Sequence, residues 1–320
     1  MRERLAELLS TDPSYRVLSY MLGPNRILEW AHSVGAATDP VLAACVSPCP
    51  PLELRSTVAD PTPQFFMYTG FVDLGLCLDA YARFGVPRLR PAVLDFACGC
   101  GRMTRFLNML PDWESFGTDV NPDHVRWCRE NLPRVDTRLN GTLPPLPFED
   151  GRFEFVYSLS LFTHLTEHAA SAWLEDIARV LRPQGIFVAT THENTTLDII
   201  RDSPQHQAIF NLTAAATRQL RSSLPEAGYV FLPYPDSALR VAKAGAKYGN
   251  SFIHRDYVAK HWGRPPWRLL EYLPGGLRGW DMVVMQKATG RSMDKRHSPR
   301  RRSSPAPRRQ AAAARAARAR

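Results

Sequence analysis

The sequence lacks any run of about 18 apolar residues, the length a helix needs to cross a bilayer. It also lacks the apolar core of a secretion signal. The first ten residues, MRERLAELLS, carry charge where that core would sit. The expectation is therefore a cytoplasmic protein with reduced thiols. Six cysteines are present, at 45, 49, 77, 98, 100 and 128. Cys45 and Cys49 have no second Cys or His pair at zinc-site spacing, so no metal site is expected. Charge is scarce too, once it is located. The chain has 320 residues and a net charge of +9. Residues 291–320 hold eleven basic residues and one acid, so that tail carries +10 and the first 290 residues carry −1. This excludes a globally basic nucleic-acid-binding domain.

What is present is an ordinary globular composition, 44% hydrophobic and 22% charged. Three segments are expected. Residues 1–64 read as a helical extension, over about 1–34, and an irregular, Pro-rich connector over 35–64. Residues 65–290 read as one folded domain. Residues 291–320, made of Arg, Ala, Ser and Pro, read as a disordered basic tail that cannot repay its ordering entropy. The tail is read as a solvated extension in preference to a nucleic-acid or membrane contact. Oligomeric state is not legible.

Within the middle segment, Phe65–Phe84 reads as a helix broken at Gly70. Short apolar strands then alternate with helices of about ten residues, among them 102–110, and further helices are expected over 205–224 and 255–261. The strands are PAVLDFACGCG, which ends in a Gly-rich turn, ESFGTDV, VDTRLNG, FEFVYSLS and GIFVATTH. That alternation predicts a parallel sheet with helices on both faces. WRLLEYL and WDMVVMQK, joined by PGGLRG, predict a closing antiparallel hairpin.

The chemistry concentrates in Val93-Leu94-Asp95-Phe96-Ala97-Cys98-Gly99-Cys100-Gly101-Arg102. A strand delivers a carboxylate, and a turn with Gly99 and Gly101 lets a ligand approach the backbone. Asp119 ends the next strand, where a carboxylate can accept bonds from both ribose hydroxyls. A dinucleotide fingerprint would place its third glycine at position 104, which is Thr104. An acid at Asp95 suits a cationic ammonium better than a pyrophosphate. Arg105, on the following helix, reads as a solvated surface residue, whereas Arg102 is a candidate site residue. Cys98 and Cys100 read as packing residues.

VLDFACGCGRMTRFL, LPPLPFEDGRFEFVYSLSLFTHL and LEDIARVLRPQGIFVATTH, in that order, resemble the class I S-adenosylmethionine-dependent methyltransferase family. Ala97 and Gln184 stand where that family more often has glycine. The resemblance implies a three-layer, Rossmann-like α/β fold with a mostly parallel seven-stranded sheet. It implies S-adenosyl-L-methionine as cofactor and an O or N atom of a small-molecule, sugar or glycan acceptor. The cofactor residues it implies are Asp95, Ala97, Gly99 and Gly101 in the first motif and Asp119 and Val120 after the second strand. Asn140 and Gly141 follow at the adenine edge, and Ser158 and Ser160 near the methyl group. The segment Ser158-Leu159-Ser160-Leu161 lacks an Asn/Asp-Pro-Pro-aromatic pattern, which disfavours adenine, cytosine or glutamine-amide methylation. His164 and His254 are candidate bases, and His192 and Tyr248 candidate acceptor contacts. All four are expected in one cavity beside the methyl group. The alternatives are a nicotinamide-dependent oxidoreductase and a non-catalytic binding protein on a related fold.

Overall fold

The computed structural model describes residues 48–58, 63–108, 110, 112–234 and 248–289. The helical extension at 1–34, most of the connector and the basic tail lie outside the described residues. Among the described residues no helix is long and apolar enough to cross a membrane.

Strands β1 (Ala92–Phe96), β2 (Glu114–Asp119), β3 (Val135–Leu139), β4 (Phe153–Ser158) and β5 (Leu181–Thr191) are mutually parallel. A two-stranded sheet follows, β6 (Tyr229–Pro233) with β7 (Gly249–Ile253). The chain closes with β8 (Trp267–Leu277) and β9 (Trp280–Lys287), antiparallel to each other. The main sheet runs β3-β2-β1-β4-β5-β9-β8, with β9 antiparallel to β5. This is the Rossmann-like, seven-stranded arrangement that the motifs imply.

Side chains alternate along the strands and feed two cores. Leu94, Phe96, Phe116 and Phe187 pack with Trp173 and Ile177 on one face. Val93, Phe155, Tyr157 and Val188 pack with Leu74, Leu78 and Phe106 on the other. Every residue of β1 and of β4 is buried, as a strand covered on both faces requires.

The first long helix, α2 (Pro63–Phe84), supplies the second face; a single turn, α1 (Leu52–Arg55), precedes it. Gly70 does not break α2. A Cβ there would lie 2.0 Å from the Arg102 carbonyl oxygen, so this glycine marks a close approach between helix and turn. The helix expected over 102–110 is only the short α3 (Thr104–Leu107). Helix α4 (Pro122–Asn131) starts at Asn121, whose side chain accepts from the Asp123 N–H, with Pro122 at its first position. Helix α5 (Glu167–Val180) is capped likewise by Thr166.

The stretch from 192 to 262 builds the roof. Helices α6 (Asn194–Asp202), α7 (Pro204–Phe210) and α8 (Ala214–Ala227) lead into β6. Asn211, at φ 52°, ends α7, dividing the helix expected over 205–224. Strand β7 then crosses the carboxyl ends of β4 and β5. Its Gly249, Ser251 and Ile253 N–H groups donate to the carbonyls of His164, Thr163 and His192 at 3.2, 2.8 and 2.8 Å. The helix expected over 255–261 is one α turn, α9 (Arg255–Tyr257), continued by a π turn over Val258–Trp262.

Candidate functional site

The parallel register aligns the carboxyl ends of the strands. Asp95 pairs with Gly117 on one side and Tyr157 on the other. The ends of β1, β2, β4 and β5 therefore share one edge, where open α/β sheets bind ligands. Buried polar atoms without a hydrogen bond gather there: Thr118 Oγ1, Ser158 Oγ, Thr191 Oγ1 and both ring nitrogens of His192. Asn140 Oδ1, at the end of β3, is another. Native interiors rarely leave such atoms unpaired, and a bound ligand or water is their usual partner.

Asp95 is 3% exposed. Burial pushes its carboxyl up to about 6, opposed by the Thr104 bond, the nearby Tyr157 hydroxyl and the charge of Arg102. The Tyr157 hydroxyl lies beside Asp95 outside good hydrogen-bond geometry, whereas Thr104 Oγ1 donates at 2.6 Å. A buried carboxylate with no cationic partner in direct contact suits an incoming ammonium group.

The turn that follows is shaped by three residues in the left-handed region: Ala97 (φ 66°), Gly99 (φ 56°) and Gly101 (φ 80°). A Cβ on Gly99 would meet Val58 at 2.7 Å. Asp119 Oδ2 accepts from the Gly99 N–H and Oδ1 from the Asn121 N–H, both at 2.8 Å. His124 Nδ1 lies 3.3 Å from the same Oδ1, and its Nε2 lies 2.9 Å from Thr57 Oγ1. The 48–58 segment thus reaches over the glycine turn, a contact with no signal in the sequence. Val120 is 37% exposed at the end of β2. Asn140 follows β3, its N–H bonded to the Asp119 carbonyl at 3.1 Å, and Gly141 is exposed beside it.

Arg105 corrects the expectation of a surface residue. It is 2% exposed, donates to the Gly101 carbonyl and lies over the rings of Phe66 and Trp127. Arg102 is buried as well and donates to Asp73 at 2.6 Å. Cys98 and Cys100 are buried free thiols. The neighbouring Cys128 and burial push Cys98 up, and burial pushes Cys100 up, so neither is a thiolate at neutral pH.

Beyond β4 the chain turns sharply at Ser160 (φ 64°), whose N–H donates to Thr190 Oγ1. His164 follows. Its Nδ1 lies 2.9 Å from the Gly249 carbonyl and 3.0 Å from the Tyr234 hydroxyl. The carbonyl can only accept, which assigns the proton to Nδ1 and leaves Nε2 as the free base, 3.3 Å from Ser160 Oγ. The ring stacks on Tyr248 at 5.1 Å and stands edge-on to His192 at 6.3 Å. Burial pulls His164 down to about 4 and His192 well below its ordinary value. The Ser251 backbone lies near the His192 ring but makes no hydrogen bond of normal geometry to it. Burial pushes Tyr248 up, with a further push from the Asp119 charge, so its phenol lies within electrostatic reach of the β2 end.

Three of the four residues expected to converge are thus together: His164, His192 and Tyr248. His254 is placed differently. Its Nδ1 caps α9 by accepting from the Asp256 N–H, and its Nε2 lies 3.5 Å from Glu193. Glu193 is 0% exposed and is held by Arg255 through Nη2 at 2.7 Å. That ion pair, buried on the Glu193 side, fastens the roof to the end of β5. Sequence reading missed it, along with Tyr234 and Thr104, because each acts on a partner distant in the chain.

Parts of this chain are similar to known proteins. A family model described as a methyltransferase domain matches residues 93–185. A probable S-adenosylmethionine-dependent methyltransferase of Mycolicibacterium smegmatis is 31% identical over 43% of this chain and 51% of its own length. A human mitochondrial arginine hydroxylase is 30% identical over 38% of this chain and 34% of its own. The chain spans between a third and about half the length of these curated relatives. Among solved structures, a glycopeptide N-methyltransferase complexed with S-adenosylmethionine aligns at a TM-score of 0.42 and 16% identity, over 66% of this chain and 91% of that one. A methyltransferase from Methanosarcina mazei aligns at 0.43 and 15%, over 63% and 94%. The matched residues 93–185, with the strand order and the glycine turn between Asp95 and Asp119, support a class I S-adenosylmethionine-dependent methyltransferase domain.

Proposed function

We propose that this chain transfers the methyl group of S-adenosylmethionine to an O or N atom of a small-molecule, sugar or glycan acceptor. The observation that carries the reading is the pair Asp95 and Asp119, buried at the carboxyl ends of adjacent strands across a left-handed glycine turn. The residues present fit this cofactor. Asp95 would hold the ammonium of its methionine part, and Asp119 its ribose hydroxyls. Ala97, Gly99 and Gly101 give it close access to the backbone. Val120, Asn140 and Gly141 would border the adenine, with Asn140 Oδ1 free to accept. Ser158 and Ser160 would line the methionine part, where Ser158 Oγ has no partner.

When bound, the cofactor supplies an electrophilic methyl group on a sulfonium. Transfer is an in-line displacement, so the protein chiefly aligns two reactants and excludes water. His164 Nε2 would take the acceptor's proton. The ring is neutral and fixed by Gly249, as a base at neutral pH must be. His192 and Tyr248 would line the acceptor. His254 would act through Glu193 and the roof, as its contacts are made there.

One relative is named an arginine hydroxylase, so the placement of His164 and Tyr248 adds the support for transfer that the cofactor residues do not give. A nicotinamide oxidoreductase is disfavoured because Thr104, bonded to Asp95, occupies the place of the third glycine. Titration calorimetry with S-adenosylhomocysteine and NAD tests the reading. Micromolar binding of S-adenosylhomocysteine is expected, and binding of NAD alone sinks the proposal.

A further inference from the structure

The turn between β8 and β9 has two central residues, Arg278 and Gly279, with Leu277 paired to Trp280. Both central residues have positive φ, 53° and 94°. Hairpin turns of this kind favour Asn, Asp or Gly at such positions, and a side chain like arginine's costs about 1 kcal/mol there. The register Thr191↔Asp281 places this turn at the carboxyl end of β5, on the ligand-binding edge.

Arg278 directs its guanidinium back to that edge. Nε and Nη2 donate to Asp73 at 2.8 and 2.7 Å. Asp73 is 0% exposed and already accepts from Arg102 at 2.6 Å. One buried carboxylate therefore serves two guanidiniums, and the Arg102 charge also reaches Asp95. Arg278 is the more accessible of the two, with a side chain 30% exposed. Its Nη1 makes no hydrogen bond among the described residues. The guanidinium lies 5.5 Å from the Trp280 ring. Trp280 in turn faces His192 at 6.0 Å, and His192 stands beside His164. A row of rings thus runs from the candidate base to a partly exposed guanidinium whose Nη1 is unbonded among the described residues.

We propose that Arg278 binds a carboxylate of the acceptor, which is a hydroxylated aromatic acid whose ring lies along Trp280 and His192. This rests on the methyl-transfer reading of the same site. A planar guanidinium matches a carboxylate bidentately, and the rings match a planar acceptor. The strained arginine is then retained for binding at a cost to the turn.

The test uses the full chain, wild type, Arg278→Gly and Arg278→Asn, each saturated with S-adenosylhomocysteine. The probes are 4-hydroxybenzoate and 4-hydroxycinnamate against their amides, followed by calorimetry. In the wild type the acids are expected to bind at least about tenfold tighter than the amides, and in both variants within about twofold. Both variants should melt at or above the wild-type temperature, since each relieves the turn and leaves Asp73 paired with Arg102. Equal affinities of acid and amide in the wild type, or no binding of either, overturn the proposal. So does an acid preference that survives in the variants, or unfolding of both. S-adenosylhomocysteine binding without an acid preference sinks this inference alone, whereas its failure to bind sinks the methyl-transfer reading.

Discussion

Thr104 donates a 2.6 Å hydrogen bond to the Oδ2 of Asp95. The hydroxyl stands where a dinucleotide fingerprint would have a glycine. It steadies a carboxylate that burial works against. Asp95 therefore carries a penalty in the ligand-free protein that a bound ammonium would remove.

That penalty has a definite pH window. The carboxyl titrates near 4 in the unfolded chain and at about 6 in the folded one. Below pH 4 both states are protonated and the site costs nothing. As pH rises from 4 to 6 the unfolded chain releases its proton first, and stability falls by about 3 kcal/mol at most. Asp95→Asn removes the charge. At pH 8 the ligand-free variant should be more stable than wild type by about 1–3 kcal/mol, with the gap closing toward pH 4. Its affinity for S-adenosylhomocysteine should fall. Urea unfolding across pH checks the first claim; a variant less stable at pH 8 refutes it.

Asp119→Ala should have two effects. Removing the acceptor of the ribose hydroxyls should weaken S-adenosylhomocysteine binding by about 1.5–3 kcal/mol. The same carboxylate holds the Gly99 and Asn121 N–H groups, so the fold should also lose about 1–3 kcal/mol as those donors lose their partner. Calorimetry with urea unfolding separates the two losses. An unchanged affinity with lowered stability would make Asp119 a structural residue alone.

Gln184 offers a test of backbone strain away from the ligand. It is exposed and holds φ 66° at the start of β5. A non-glycine residue in this region costs about 1–2 kcal/mol, part of which a glycine returns through unfolded-chain entropy. Gln184→Gly should therefore gain about 0.5–1 kcal/mol, a rise of about 1–4 °C in melting temperature. Scanning calorimetry decides it, and a lower melting temperature contradicts the strain. Ala97 has the same φ and the same origin, but its turn is also part of the candidate cofactor site.

The legible parts of the molecule were those with local signals. Strands β1 and β4 are buried on both faces, so they read as apolar runs. Asp95 and Asp119 were legible because a strand end fixes the spacing of each from the glycines. Strand β7 was not. Gly249-Asn250-Ser251-Phe252-Ile253 has no alternation, since all five residues are buried and its hydrogen bonds go to β6 and to the distant Thr163, His164 and His192. Arg105 was misread for a similar reason. A charged residue reads as solvated, and only Phe66 and Trp127, brought in from two other helices, show that it is enclosed.

His164 should stay neutral wherever the protein is folded. Burial holds it at about 4 against about 6.5 in the unfolded chain. As pH falls from 6.5 to 4 the unfolded chain gains a proton that the folded one does not. Stability is then lost, by up to about 3 kcal/mol from this ring. Histidine NMR should show no titration of His164 from pH 8 to 5, and a midpoint above 5.5 contradicts the burial. His164→Ala should lower turnover with cofactor affinity changed by less than about threefold, near 0.65 kcal/mol.

Gly70 decides between two forces of opposite sign. Helix propensity alone says that Gly70→Ala in α2 should stabilise the protein by about 1 kcal/mol. Packing says otherwise, because the added Cβ would lie 2.0 Å from the Arg102 carbonyl oxygen, a backbone atom that cannot rotate away. The helix cannot easily retreat either. One turn on, Asp73 is bonded to Arg102, and Phe71 packs edge-on against Phe106 at 5.4 Å. Moving α2 outward would stretch a buried ion pair, and moving Arg102 would disturb the turn that holds Gly99 and Gly101. Overpacking of a fixed contact costs about 1–3 kcal/mol, and the distortion of a buried pair adds to it. Gly70→Ala should therefore lose at least about 2 kcal/mol net in urea unfolding, and it should weaken S-adenosylhomocysteine binding through the displaced turn. A stabilised variant would show that helix and turn separate freely, and the rigid cradle inferred for the cofactor would go with it.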